Sequence, residues 1–305
     1  MHLLSASLYY RTMKSMVLSL ICMTLTSPFS NRLFYEISDS QDSEIPTITE
    51  LDRLVEDSIS LCVGTSFSMN KASNTMNDYI ALNRPEKQNW SVSIIDLNTG
   101  QTIGYSESEN QTAASSIKLF VAGAVMEHRD KLLEKYSENQ IDQLLRLSLI
   151  ISDNDSATQL ISMLGSGNTT KGKEIVNKYC QEHGFDSTFL GILFSGLDPS
   201  GTYNTTSAKD TARFMEEIYH HRLAGSEKIL GYLADSERLA KIPSAIPEGI
   251  ATANKTGELN NTQNDTAIVY ARRPFVISIL IDEAEYSRAA IDIQELTRLI
   301  YPYFE

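Results

Sequence analysis

Apolar and polar positions alternate over Trp90–Asp96 (WSVSIID) and again over 101–105 (QTIGY), with Asn98-Thr99-Gly100 between them. Period-two patterning broken by turn residues predicts a β-hairpin. Toward the other end, Thr266–Ala271 (TAIVYA) and Phe275–Ile281 (FVISILI) are β-branched runs joined by Arg272-Arg273-Pro274, and they predict two more strands. Between these pairs the apolar positions recur every three or four residues over 117–128, 141–151, 156–164, 171–183 (stopped by Gly184) and 207–219, which predicts helices. A further helical pattern, 289–300, closes the chain. Near the start, Thr49 and Asp52 form a capping-box-like pair ahead of Leu51, Leu54, Val55 and Ile59, the pattern of a first amphipathic helix. Residues 66–87 carry many Asn and Ser and few apolar positions, and are expected to be an irregular insertion.

Strands at both ends and helices between them imply a mixed α/β fold of the α+β kind. An antiparallel sheet would be flanked by the terminal helices, with an all-helical subdomain (about 119–210) inserted and a cleft where the two meet. The expected domain spans 49–305. Before it, the Ser-, Asp- and Glu-rich stretch suggests a linker (31–48), and Arg11 and Lys14 preceding the apolar run Met16–Leu25 suggest a signal peptide or N-terminal anchor over 1–30. That run is shorter than the roughly 20 residues a bilayer crossing needs. Ile21 stands where a small residue should precede a lipidated Cys22, so lipidation is discounted. The expected location is secreted or extracytoplasmic, with membrane contact only through an uncleaved N-terminal segment.

At 305 residues and 42% hydrophobic content the chain can bury a sizeable core. A formal net charge of −13 with scattered Lys and Arg argues against a nucleic-acid partner. Beyond Cys22 only Cys62 and Cys180 remain, too few for a disulfide framework, and no Cys-x-x-Cys or His-x-x-x-His spacing offers metal ligands. Neither metal nor cofactor is expected. His220 and His221, at an expected helix end, read as solvated or dipole-compensating residues rather than metal ligands. A monomer is expected.

Three short segments carry chemistry. Ser115 and Lys118 are three apart at the start of a helical stretch, so their side chains share a face and could act as nucleophile and base. A chain of this length holds roughly one Ser-x-x-Lys by chance, and the bland alternative is a solvated helix face. Ser152-Asp153-Asn154, between two helices, taken alone reads as a helix N-cap. Lys255-Thr256-Gly257, on an expected strand, taken alone reads as an edge with a protective Lys and a Gly kink.

In this order, Ala114-Ser115-Ser116-Ile117-Lys118, Ser152-Asp153-Asn154 and Lys255-Thr256-Gly257 resemble the three motifs of class A β-lactamases and the related penicillin-binding proteins. The resemblance extends from about Leu51 to the C-terminus. It implies a β-lactamase-like fold and a serine hydrolase that opens a β-lactam through an acyl-enzyme on Ser115, with Lys118 as proton acceptor. Ser152 would pass a proton to the leaving nitrogen and Lys255 would support Ser152. Asn154 would bind the substrate's side-chain amide, Thr256 its carboxylate, and Gly257 would let the strand approach. The backbone N–H groups of Ser115 and Glu258 would form the oxyanion hole, the Glu258 side chain being incidental to it. The implied partner is a small β-lactam or D-alanyl peptide.

The sequence departs from that family in two places. Class A enzymes carry a Glu-x-x-x-Asn loop after the second motif, whereas 187–204 (STFLGILFSGLDPSGTYN) has Asp198 as its sole acid, in a turn-like Asp-Pro-Ser-Gly. The segment between Lys118 and Ser152 is also shorter, which implies a more open cleft. Both leave room for a D-alanyl carboxypeptidase, transpeptidase or esterase with slow deacylation, or for a binding or sensor module that does not turn over.

Overall fold

Trp90, Val92 and Ile94 alternate with Ser91 and Ser93 along β1 (Asn89–Asp96), which pairs antiparallel with β2 (Thr102–Tyr105). The computed structural model describes residues 68–194 and 203–305 of the chain. Beyond a two-stranded ribbon of β3 (Gln111–Thr112) and β4 (Thr205–Thr206), the late strands β5 (Thr252–Leu259), β6 (Thr262–Val269) and β7 (Phe275–Asp282) complete a five-stranded antiparallel sheet. Its order is β2-β1-β7-β6-β5, so strands from both ends of the sequence meet at β1 and β7, and β5 lies at an edge.

Period two sends successive side chains to opposite faces. Val92, Ile94, Ile277, Ile279 and Ile281 pack with Ile293, Leu296 and Ile300 of the closing helix on one face. Ile95, Ile268 and Val276 pack with the central helices on the other. Truncating one of these buried aliphatics to Ala typically costs about 2–5 kcal/mol.

Residues 68–83 form α1, contrary to the expectation of an irregular segment. Met69, Ala72, Met76, Tyr79 and Ile80 recur at three- and four-residue spacing and are buried on the sheet, while Asn, Ser and Lys fill the other faces. A stripe this narrow lowers the average hydrophobicity without weakening the helix's hold on the core. Similarly, β6 begins at Thr262 rather than Thr266, because Thr262, Gln263, Asn264 and Asp265 are all buried polar residues and show no alternation. The segment around Thr49 and Asp52, the N-terminal apolar run and Cys62 lie outside the described residues. Cys180 is a free, buried thiol.

The central helices are α2 (Lys118–Glu127), α3 (Arg129–Leu133), α4 (Glu138–Ile150), α5 (Asn154–Leu164), α6 (Thr169–Glu182), α7 (Ala208–Tyr219) and α8 (Ser226–Ala234), and α9 (Tyr286–Ile300) closes the fold. The short α3 and α8 carry no long apolar period, so the sequence pattern does not announce them. Ser137, Asp153, Asn168 and Ser207 each accept a backbone N–H as N-cap and set where α4, α5, α6 and α7 begin. From Lys118 to Met126 every residue of α2 is buried, so this helix runs through the helical layer rather than over it. Ser68–Leu97 and Thr102–Glu305 form one compact unit. Among the described residues no helix is long and apolar enough to cross a membrane.

Candidate active site

Ser115 sits in a 3-10 turn (Ala114–Ile117) that leads straight into α2, and Lys118 is the first residue of that helix. The chain entering this turn is fastened on several sides. Thr112 donates its N–H to Asp282 Oδ2 at 2.7 Å, Ala113 donates to the carbonyl of Asn204 at 2.8 Å, and Asn264 Nδ2 donates to the carbonyls of Thr112 and Ala113 at 2.8 and 3.2 Å. Ala114 has φ 46°, a left-handed conformation that costs a side-chain-bearing residue about 1–3 kcal/mol.

Gly257 explains how the edge strand comes so close. A Cβ built on it would lie 2.7 Å from the Ala113 carbonyl oxygen and 2.8 Å from Ser116 Oγ, so only glycine lets β5 abut the turn that carries Ser115. Two residues earlier on β5, Lys255 reaches Ser152 Oγ at 2.9 Å and also donates to the Thr256 carbonyl at 2.8 Å.

Lys118 meets the same serine. Its Nζ donates to Ser152 O at 2.6 Å, Ser152 Oγ at 3.3 Å and Asn154 Oδ1 at 2.7 Å, which uses all three ammonium donors. Ser152 has φ 64°, the second strained non-glycine residue of the site; the others (Ser106, Ser166, His221 and Glu283) lie in turns and bends away from it. Asp153 accepts from Ser156 N at 2.7 Å, so the cap reading of this segment holds alongside its place in the cluster.

Burial of two ammonium groups around one hydroxyl shapes their basicity. Burial lowers the Lys118 pKa to about 8; the Asp153 carboxylate opposes this and the Arg238 charge adds to it. Lys255 is held well below the ordinary lysine range by burial first and by the Lys118 charge second. Arg238 also donates to the carbonyl of Ile151 at 3.2 Å, which ties it to the backbone just before Ser152.

The structure thus gathers Lys118, Ser152, Asn154 and Lys255 into one hydrogen-bonded cluster, and Gly257 lies against the 3-10 turn that carries Ser115 and leads into Lys118. Among the described residues Ser115 Oγ has no hydrogen bond. Thr256 is buried opposite Asp265 in the register of β5 and β6, and Asn154 spends its oxygen on Lys118, keeping its amide N–H₂. The Glu258 side chain, expected to be incidental, is paired with Lys241 at 2.9 Å. Asp198 lies outside the described residues.

Several neighbours of the cluster belong to none of the three motifs. Asn264 and Asp265 lie opposite Gly257 and Thr256, a register that follows once Asn260-Asn261 is taken as the turn of a hairpin. Asp265, its carboxyl pushed up by burial, accepts from Asn254 Nδ2 and Ile242 N, both at 3.0 Å. The ring of Phe194 lies with its centroid 4.8 Å from Lys118 Nζ. Three and two residues before Phe194 the chain is tied to Asn204 Oδ1, which accepts from Gly191 N and Ile192 N at 2.9 and 3.0 Å.

A five-stranded antiparallel sheet joined to a helical layer, with this cluster at their junction, defines the fold of the serine β-lactamases and penicillin-binding proteins. Residues 71–131 and 131–304 match the Beta-lactamase enzyme family, and the chain belongs to that family. Among solved structures it is similar to PBP-A (21% identity, TM-score 0.66, covering 76% of this chain and 96% of PBP-A). It is also similar to a β-lactamase from Xanthomonas campestris pv. campestris (16% identity, TM-score 0.66, 77% and 99% covered). A third is the class A β-lactamase from Mycobacterium abscessus (20% identity, TM-score 0.64, 75% and 99% covered). Among curated proteins none matches it in sequence.

Proposed function

We propose that the protein is a serine acyl-transfer hydrolase that opens a β-lactam amide through an acyl-enzyme on Ser115. The observation that carries this reading is the shared oxygen of Ser152. A hydroxyl has two acceptor positions and one proton, and Lys118 and Lys255 fill both acceptor positions at 3.3 and 2.9 Å. The Ser152 proton is therefore left to be donated into the cleft.

The steps follow from that arrangement. With a pKa of about 8, Lys118 is neutral in roughly a tenth of molecules at pH 7. The neutral amine takes the hydroxyl proton of Ser115 as Oγ bonds to the carbonyl carbon. The N–H groups of Ser115 and Glu258 receive the developing oxyanion, aided by the positive end of α2. The C–N bond then breaks as Ser152 gives its proton to the nitrogen, and the Lys118 ammonium restores that proton to Ser152. Lys255 keeps Ser152 oriented, the Asn154 amide N–H₂ serves the substrate's side-chain carbonyl, and Thr256 its carboxylate. The N-terminal apolar run supports action outside the cytoplasm; retention of the full-length protein in the cytosolic fraction would sink that part.

Phe194 favours a second reading of the deacylation step. A ring face attracts an ammonium but cannot take a proton from water, so the aromatic neighbour that Phe194 gives Lys118 cannot serve as a general base. The acyl-enzyme would then persist, as in a D-alanyl carboxypeptidase, esterase or penicillin-binding protein. A chromogenic cephalosporin assay run beside intact-mass measurement separates the readings. Fast colour development without a retained adduct supports a lactamase, a lasting mass gain supports the slow form, and neither signal excludes β-lactam chemistry.

A further inference from the structure

Glu258 follows directly on Lys255-Thr256-Gly257, and its carboxylate is engaged at both oxygens. Oε1 lies 2.9 Å from Lys241 Nζ, and Oε2 accepts from the Tyr286 hydroxyl at 3.1 Å. Lys241 is no ordinary surface lysine: its side chain is 3% exposed, and Nζ also donates to the Asn264 carbonyl at 3.0 Å. The Glu258 side chain is 33% exposed, so the buried cation reaches solvent through this carboxylate. Residues two apart on a strand face the same way, which puts Glu258 on the side of Thr256.

The charges around this point are unequal. Lys118, Lys241 and Arg238 all lower the basicity of Lys255, and the carboxylate that opposes them is Asp265, buried on β6, while Glu258 faces Lys241 from a partly exposed position. Burial works to raise the Glu258 pKa, but Lys241 overcomes it and the carboxyl is held below its ordinary range, so Glu258 stands as an anion. The protein itself thus places a negative charge where the cations would otherwise attract one from a ligand.

We propose that Glu258 is a specificity-determining residue, a built-in counter-ion that occupies the anion subsite of the cleft. Thr256 can still hold a β-lactam carboxylate, but the site takes acyl donors that are uncharged beside the scissile bond, such as esters and neutral amides, ahead of donors that carry a carboxylate there. An entering carboxylate must either displace Glu258 from Lys241 or lie against a like charge, a repulsive element of the kind that sets selectivity. This rests on the reading of Ser115 as the acylated residue.

The test compares acylation of the full-length protein by penicillin G and by its methyl ester, followed by intact mass over time, in the wild type, Glu258→Gln and Glu258→Ala. Both rates read the same folded population, so their ratio is insensitive to any loss of folded protein. The wild type should react faster with the ester, and both variants should raise the acid-to-ester rate ratio by about tenfold or more. An unchanged or lower ratio, with acylation still occurring, overturns the role of Glu258 alone. Absence of acylation by either compound in all three proteins overturns the Ser115 reading, and this inference with it.

Discussion

The two sides of Lys118 could hardly differ more. One side offers three oxygens, Ser152 O, Ser152 Oγ and Asn154 Oδ1, at 2.6, 3.3 and 2.7 Å, and links through Ser152 to a second buried lysine. The other side offers the Phe194 ring, its centroid 4.8 Å away. Among the described residues the groups that can exchange protons with Lys118 belong to the first side, because a ring face holds charge without exchanging protons. The difference teaches where the proposed chemistry can run: among the described residues the polar neighbours of Lys118 suit acyl-enzyme formation, and the ring supplies no group that activates water.

Removing the polar side altogether should have the largest effect. Lys118→Ala takes away the proposed base, and acylation by penicillin G should fall by about 10³-fold, within the range general-base catalysis supplies. An unchanged rate in time-resolved intact mass would erase the contrast between the two sides. Gly257→Ala tests how closely β5 must approach. Its Cβ would meet the Ala113 carbonyl at 2.7 Å, so the turn carrying Ser115 has to move. Acylation should drop about 10²-fold, and urea unfolding should show a loss of about 1–3 kcal/mol from overpacking.

The pH dependence probes the buried amine itself. Because its pKa is lowered to about 8, Lys118 is charged and inactive as a base below that value and neutral above it. The acylation rate should therefore climb about tenfold per pH unit below 7 and level off above pH 8. For stability the sign is the same. The unfolded chain, with an ordinary lysine near 10.5, binds the extra proton between pH 8 and 10.5, so this group's contribution to stability improves as pH rises through that window. A rate still climbing at pH 10 would mean that the desolvated lysine is not the base. The smallest effect belongs to Phe194→Ala. Admitting water beside Lys118 should move the midpoint of the pH profile slightly upward and shorten the life of the adduct; a longer-lived adduct would reverse the role given to the ring.

Much of this arrangement was legible in the sequence because short-range patterns carry it. The β1–β2 hairpin, β7, most central helices and the three motif segments all rest on local periodicity or spacing. What escaped depends on contacts distant in the chain. The polar face of α1 hid a five-residue buried stripe, and the buried run Thr262–Asp265 lacked the alternation that marks a strand. Lys241, Asn264 and Phe194 take part in the site only because register and loop anchoring bring them to it; nothing in their own neighbourhoods distinguishes a buried lysine from a solvated one. The three motifs stand out in the sequence by their spacing and order, whereas the engaged carboxylate of Glu258 shows only with Lys241 beside it.

The central claim, that Ser115 is acylated with the help of the Lys118–Ser152–Lys255 cluster, is tested most directly by proteolytic mapping after reaction with penicillin G. One added penicilloyl group is predicted, located by peptide fragmentation on Ser115 and absent from Ser115→Ala. A penicilloyl group on any other residue, or its persistence in Ser115→Ala, would contradict the claim.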